Sequence, residues 1–313
     1  MSEAKTKSRP RRRLRGESNP LLIKELRGRM RGARAFIVLT VYLLLLSCFT
    51  SIIYYAYSAS ARGPGGGPDM AYLGKTVFAS VVLIEIFMVT FITPAFTAGA
   101  ISGERERKTY ELLRTTLLPA RKLVAGKLTS ALTYMFLLIL AAVPLESLAF
   151  VLGGVVVEEL VLALIILLVT TFAFATIGLF FSSLVRTTLV ATVLTYATAL
   201  LVTIGLPVLL AISAALFDSF MYGYSSPAPS WIVQAIAKYA LYITVGLSPI
   251  TAAIFTEVTL EENNTIWFFW ESVGPGHRVP IPSAWIVCVV AYLTLALVLL
   301  LVTVLRVRQQ EKR

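Results

Sequence analysis

The chain has 313 residues, of which 57% are hydrophobic and 14% are Asp, Glu, Lys or Arg, with a formal net charge of +11. So little charged side chain cannot coat a water-soluble globule, which excludes a soluble enzyme or binding domain. The apolar residues fall in long blocks, which excludes disorder and a collagen-like repeat and defines a polytopic membrane protein.

Twelve Lys and Arg precede the first apolar block. Residues 1–18 read as a basic arm, expected to be disordered and drawn to anionic lipid on the cytoplasmic face. Residues 19–34, NPLLIKELRGRMRGAR, then read as an interfacial amphipathic helix. It would start with an Asn cap and Pro20 at its first position, present Leu22, Leu26 and Met30 on one face, and cover the rest with base. The apolar block that follows is too long for a signal-peptide core and lacks a small-x-small site, so it is expected to be a retained span.

A helix needs about 20 apolar residues to cross roughly 30 Å of hydrocarbon. Six stretches within residues 35–305 qualify: Ala35–Tyr57, Thr76–Ile101, Leu128–Leu152, Leu160–Val185, Leu189–Leu216 and Ser283–Leu305. With the N-terminus inside, an even number of spans returns the tail, residues 306–313, to the same side. The twelve leading basic residues, seven between Arg105 and Lys127, Arg186 and four in the tail are then all cytoplasmic, against Arg62, Lys75, Lys238 and Arg278 outside. The positive-inside rule therefore assigns the surplus of charge to topology and not to nucleic acid.

A seventh candidate, Trp231–Phe255, would put the basic tail outside if it crossed, so it is expected to be re-entrant or interfacial, broken at Gly246 and Pro249. The whole of residues 217–282 then becomes an external helical cap rich in Tyr and Trp. The expected fold is an all-α polytopic membrane protein of six transmembrane helices. Pro94, Pro144 and Pro207 lie inside spans and can kink them. Glu85 falls near the middle of the second span, where an ionisable group is either locked by a hydroxyl neighbour or lines a translocation path. Glu146 is expected to reach the outer interface.

The loop 102–127 carries the most information. Within ISGERERKTYELLRTTLLPARKLVAGKL, Ser102 can cap a helix, Glu104 and Glu106 fall in its first turn, and Glu104 with Lys108 makes an i,i+4 pair. Leu112, Leu113 and Leu117 form an apolar edge framed by charge, which suits a docking partner, and Pro119 stops the helix. These residues resemble the permease family of type-2 ATP-binding cassette (ABC) transporters, whose pattern approximates E-x-E-x-G-T-x-E-L-L-x-x-T-P followed by G-K at the third span. Glu104, Glu106, Thr109, Glu111, Leu112, Leu113, Thr116 and Gly126-Lys127 match, whereas Lys108 replaces the usual Gly and Leu117 the usual Pro.

The resemblance implies that Glu104, Glu106, Arg107, Thr109, Glu111, Leu112, Leu113 and Arg114 form a coupling helix that contacts a cytoplasmic ABC ATPase, and that residues 19–34 form an elbow. It also implies a second permease copy or paralogue, an exporter in the cell membrane with both termini cytoplasmic, and ATP and Mg bound only by the partner ATPase. No catalytic residue and no bound cofactor is expected here: Gly74-Lys75-Thr76 imitates the end of a P-loop, but residue 69 is Asp and no ABC signature follows. Cys48, Cys288 and the single His277 are scattered, which leaves no His- or Cys-based metal site. Two rivals stay open: an ATP-independent secondary carrier, which lacks the expected inverted repeat, and an intramembrane enzyme resting on Glu146 and Glu158-Glu159.

Overall fold

A computed structural model of the chain describes residues 33–60, 70–109, 119–222, 230–273 and 276–311. The 1–18 arm, nearly all of the 19–34 helix, and Glu111, Leu112, Leu113 and Arg114 lie outside the described residues. Among the described residues, ten α-helices and one β-hairpin follow in order. They are α1 (Ala33–Ser60), α2 (Met70–Thr97), the short α3 (Ser102–Glu106), α4 (Ala120–Leu152), α5 (Val157–Leu184), α6 (Thr188–Leu200), α7 (Leu206–Tyr222), α8 (Trp231–Gly246), α9 (Pro249–Asn263), β1 (Phe268–Ser272), β2 (Arg278–Pro282) and α10 (Ala284–Glu311).

Six segments among them are long and apolar enough to cross a bilayer, in the expected order: α1, α2, α4, α5, α6 with α7, and α10. The fold is an all-α polytopic membrane bundle, and among the described residues the hairpin is its one departure. The helix α5 is the most enclosed span and packs against α2, α4, α6 and α10. The spans α1 and α6–α7 lie at the periphery and turn large apolar side chains such as Phe36, Leu44, Leu189 and Leu201 outward, the surface that lipid and not water solvates. Buried threonines return their hydroxyls to their own helices: Thr90 donates to Ile86 O at 2.8 Å, Thr171 to Leu167 O at 2.7 Å and Thr303 to Leu299 O at 2.7 Å.

The fifth span is continuous in length but not in winding. Between α6 and α7, Leu201–Gly205 forms a π-turn, and Pro207 follows as the second residue of α7. Proline cannot donate and crowds the carbonyl four residues back, and a local widening of the helix relieves that contact. Thr203 within the turn meets Thr90 of α2, hydroxyl to hydroxyl, at 3.2 Å.

At one end of the bundle, called here the cap end, α8 and α9 meet at a bend of 117°. Their 16 and 15 residues reach only about 24 and 22 Å, short of the roughly 30 Å of hydrocarbon. The break falls at Leu247–Ser248, between the two expected breakers. Lys238, the one charge in that apolar stretch, is held by the Glu271 carboxylate and donates to Ser272 O at 3.0 Å, while Tyr239 Oη donates to Pro280 O at 2.7 Å. These three contacts dock α8 on the antiparallel hairpin, whose register runs from Phe268 opposite Pro282 to Ser272 opposite Arg278. Trp267, Phe268 and Trp270 remain exposed, a composition suited to a membrane–water interface.

Lys75 ties the cap to the bundle, reaching Glu261 of α9 at 3.5 Å and Glu159 of α5 at 3.9 Å. The Gly74-Lys75-Thr76 sequence is therefore helical and structural. Glu159 also accepts the Val156 N–H at 3.3 Å and so closes the start of its own helix. Beside them, burial and then the neighbouring Glu159 push the Glu257 carboxyl up to about 7, with Lys75 opposing.

Candidate functional site

At the opposite, basic end, three consecutive charged residues of α3 each engage a different span. Glu104 Oε1 accepts from Lys127 Nζ of α4 at 2.7 Å, and the Lys127 side chain is only 3% exposed. Arg105 donates to the carbonyls of Ser183 and Val185 at 3.3 and 3.4 Å, where α5 ends with carbonyls that lack helical partners. Glu106 Oε1 accepts the backbone N–H of Thr188, the first residue of α6, at 2.8 Å, and its second oxygen accepts the Thr188 hydroxyl. The cap position of α6, Thr187, makes no side-chain capping bond of its own, so Glu106 supplies it from outside.

A fourth tie comes from Ser182 of α5. Its Oγ accepts the N–H groups of Ile101 and Ser102 at 2.8 and 3.0 Å and lies 3.2 Å from the Ser102 hydroxyl. The start of α3 is thereby satisfied by a neighbouring helix, which corrects the expectation that Ser102 caps it: the cap residue is Ile101 and no side-chain capping bond forms. Glu104 likewise pairs with Lys127 and not with Lys108. The reason is that α4 begins directly after Pro119, eight residues before the expected Leu128, so Lys127 projects from an ordered helix toward α3.

The expected helix from Glu104 to Arg114 is also corrected, because α3 stops at Glu106. Thr109 N–H bonds to Glu104 O at 3.0 Å and Lys108 N–H to Arg105 O at 3.0 Å, the paired bonds of a Schellman C-cap. Lys108 lies at the left-handed position of that cap, with φ of 55°. This explains the position physically: a Gly-Thr dipeptide there would terminate the helix without a Cβ penalty, and lysine meets the same requirement under strain. Lys108→Gly is accordingly expected to stabilise the chain by about 1 kcal/mol, read as a rise in the detergent-solubilised melting temperature. Arg107 and Thr109 are exposed beside the cap.

Glu85 lies in the bundle interior, fully buried, with Tyr42 Oη of α1 donating to its Oε1 at 2.8 Å. Glu146 does not reach the outer interface. It is 1% exposed and its carboxyl faces Glu85, because α4 runs antiparallel to α2 and turns this residue toward the bundle. Among the described residues no group of three or more His, Cys, Asp or Glu is arranged to hold a metal ion. His277 stacks on Trp231 at 4.6 Å.

Sequence reasoning found Glu104, Glu106 and Lys127 but missed that Glu104 and Lys127 pair, and it missed Ser182 and Thr188. Ser182 and Thr188 flank the short turn between the fourth and fifth spans, and two polar residues at span ends carry no signal until the loop beside them is placed. Together these features define a six-span helical membrane protein whose basic end presents a short charged helix clasped by three spans. Compared with known families, the sequence matches the one described as ABC-2 family transporter protein over residues 20–310. The chain belongs to that family and is the membrane-embedded permease of an ABC transporter. A search of curated proteins finds no matching relative.

Proposed function

We propose that this chain is one permease subunit of an ABC exporter in the cell membrane, with its N- and C-termini cytoplasmic. It works with a second copy or a paralogue and with separate cytoplasmic ATPase subunits that bind ATP and Mg, while the chain itself hydrolyses nothing. The α3 segment and the residues after it, including Glu111, Leu112, Leu113 and Arg114, form the contact with the ATPase. The observation that carries this reading is the clasp. Glu104, Arg105 and Glu106 join one short helix to α4, α5 and α6, so a displacement of α3 moves three spans as a unit instead of unravelling the segment. Closure of nucleotide-bound ATPases would supply that displacement.

The test is to tag the full chain, extract it in mild detergent and ask what accompanies it. A stoichiometric protein with ATPase activity is expected, and vesicles holding both are expected to accumulate substrate only with ATP. A chain that purifies alone under several mild conditions, with uptake that follows an ion gradient, would assign it to the ATP-independent carriers.

A further inference from the structure

Three side chains from three spans meet in the bundle interior: Tyr42 of α1, Glu85 of α2 and Glu146 of α4, exposed by 2%, 0% and 1%. Their neighbours one turn away, Leu46, Val81, Val89, Ala142 and Ala149, are buried and apolar. Among described residues the only titratable groups that face Glu85 are Tyr42 and Glu146. Lys75 lies ten residues along α2, about 15 Å away, and is engaged by Glu159 and Glu261. No described cation therefore balances the two carboxyls.

Donors are short as well as charge. The Tyr42 hydroxyl serves Glu85 Oε1, but Glu85 Oε2 and both oxygens of Glu146 have no hydrogen-bond donor. A buried acceptor left unmade costs about 1–3 kcal/mol, and an ionised carboxylate at mid-bilayer costs on the order of 3 kcal/mol more on insertion scales. Two such groups facing each other without a cation are the least favourable arrangement this site could adopt. One proton eases both deficits at once, because it cancels one of the two charges and places an O–H donor between oxygens that have none.

We propose that Tyr42, Glu85 and Glu146 form a proton-binding site, in which one proton is held between the two carboxyls and joins α2 to α4 while Tyr42 joins α1. The proton comes from water and remains on carboxyl oxygen. The site is distinct from the clasp at the basic end, and it does not depend on which partner drives transport.

Infrared spectroscopy of the full chain in lipid nanodiscs at neutral pH tests this. The wild type is expected to show a protonated-carboxyl stretch that the Glu85→Gln/Glu146→Gln double variant loses. Tyr42→Phe, which deletes one hydroxyl, is expected to shift that stretch and not abolish it. This second variant keeps the proposal testable should the double variant fail to fold. A wild-type spectrum with no such stretch, or one that is the same in both variants, overturns the proposal. If desalted protein instead shows no stretch and gains thermal stability on adding sodium ion, the pair is a metal-cation site and the proton assignment falls.

Discussion

Replacing Gly178 by valine is expected to lower the stability of the bundle by about 1–3 kcal/mol, with a weaker loss for alanine. A Cβ at this position would stand 2.1 Å from Thr97 Oγ1, 2.9 Å from Thr97 Cβ and 3.2 Å from the Ala98 backbone nitrogen. Thr97 cannot swing aside freely, since it is fully buried and its hydroxyl donates to Thr93 O at 3.0 Å. The end of α2 must then separate from α5. About one turn beyond this contact lie Ile101, just past the end of α2, and Ser182 of α5, so the separation also strains the bonds that seat α3. The measurement is thermal unfolding in detergent, with Gly99→Ala as control, because there an added Cβ would meet only the Thr188 methyl at 3.3 Å. Equal melting temperatures for Gly178→Val and Gly99→Ala would mean that α2 and α5 do not approach this closely.

How much of this was legible in the sequence depends on what hydropathy measures. Apolar runs mark the part of a helix that lipid surrounds, so the six spans and their order could be read directly, whereas the start of α4 at Ala120 could not. Arg121, Lys122 and Lys127 interrupt the apolar run without interrupting the helix. Glu146 was misplaced for a related reason: its depth was judged from the nearby end of the span at Leu152, while its direction is set by the face α4 turns to α2. The hairpin went unread because Pro280 and Pro282 argue against a strand, yet both lie on a two-stranded ribbon where proline is tolerated at an edge. The clasp was half legible. Its charges stand in one motif, but the helix ends they hold come from residues about 80 positions away, and no spacing rule reaches that far.

Why the motif takes its form follows from the same contacts. A short helix with acidic residues two apart directs them to different neighbours, Glu104 toward α4 and Glu106 toward α6, while the Arg105 between them meets α5. The Gly-Lys pair at the third span belongs to the same unit, since Lys127 is the partner of the first glutamate. The left-handed residue 108 then turns the chain out of the clasp. Among the described residues of the pattern, Glu104, Glu106 and Lys127 are thus ties to a span, and residue 108 is the turn that releases the chain after the ties are made.

Glu106→Ala is therefore expected to uncouple the transporter without detaching it. The substitution removes the acceptor for the Thr188 N–H and hydroxyl and leaves the start of α6 without its external cap, while Glu104 and Ser182 still hold α3. Movement of α3 would still reach α4 but would be transmitted poorly to α6, and transport per ATP hydrolysed is expected to fall on the order of tenfold. Glu106→Gln keeps an oxygen acceptor and is expected to retain most of the coupling. Thr188→Val combined with Glu106→Ala should cost little more than Glu106→Ala alone, because both act on one contact. The measurement is ATP-driven transport and ATPase rate on the same reconstituted complex, together with the amount of ATPase that copurifies. Loss of the copurifying ATPase in Glu106→Ala would mean that this carboxylate touches the partner directly, and unchanged coupling would mean that α6 takes no instruction from α3.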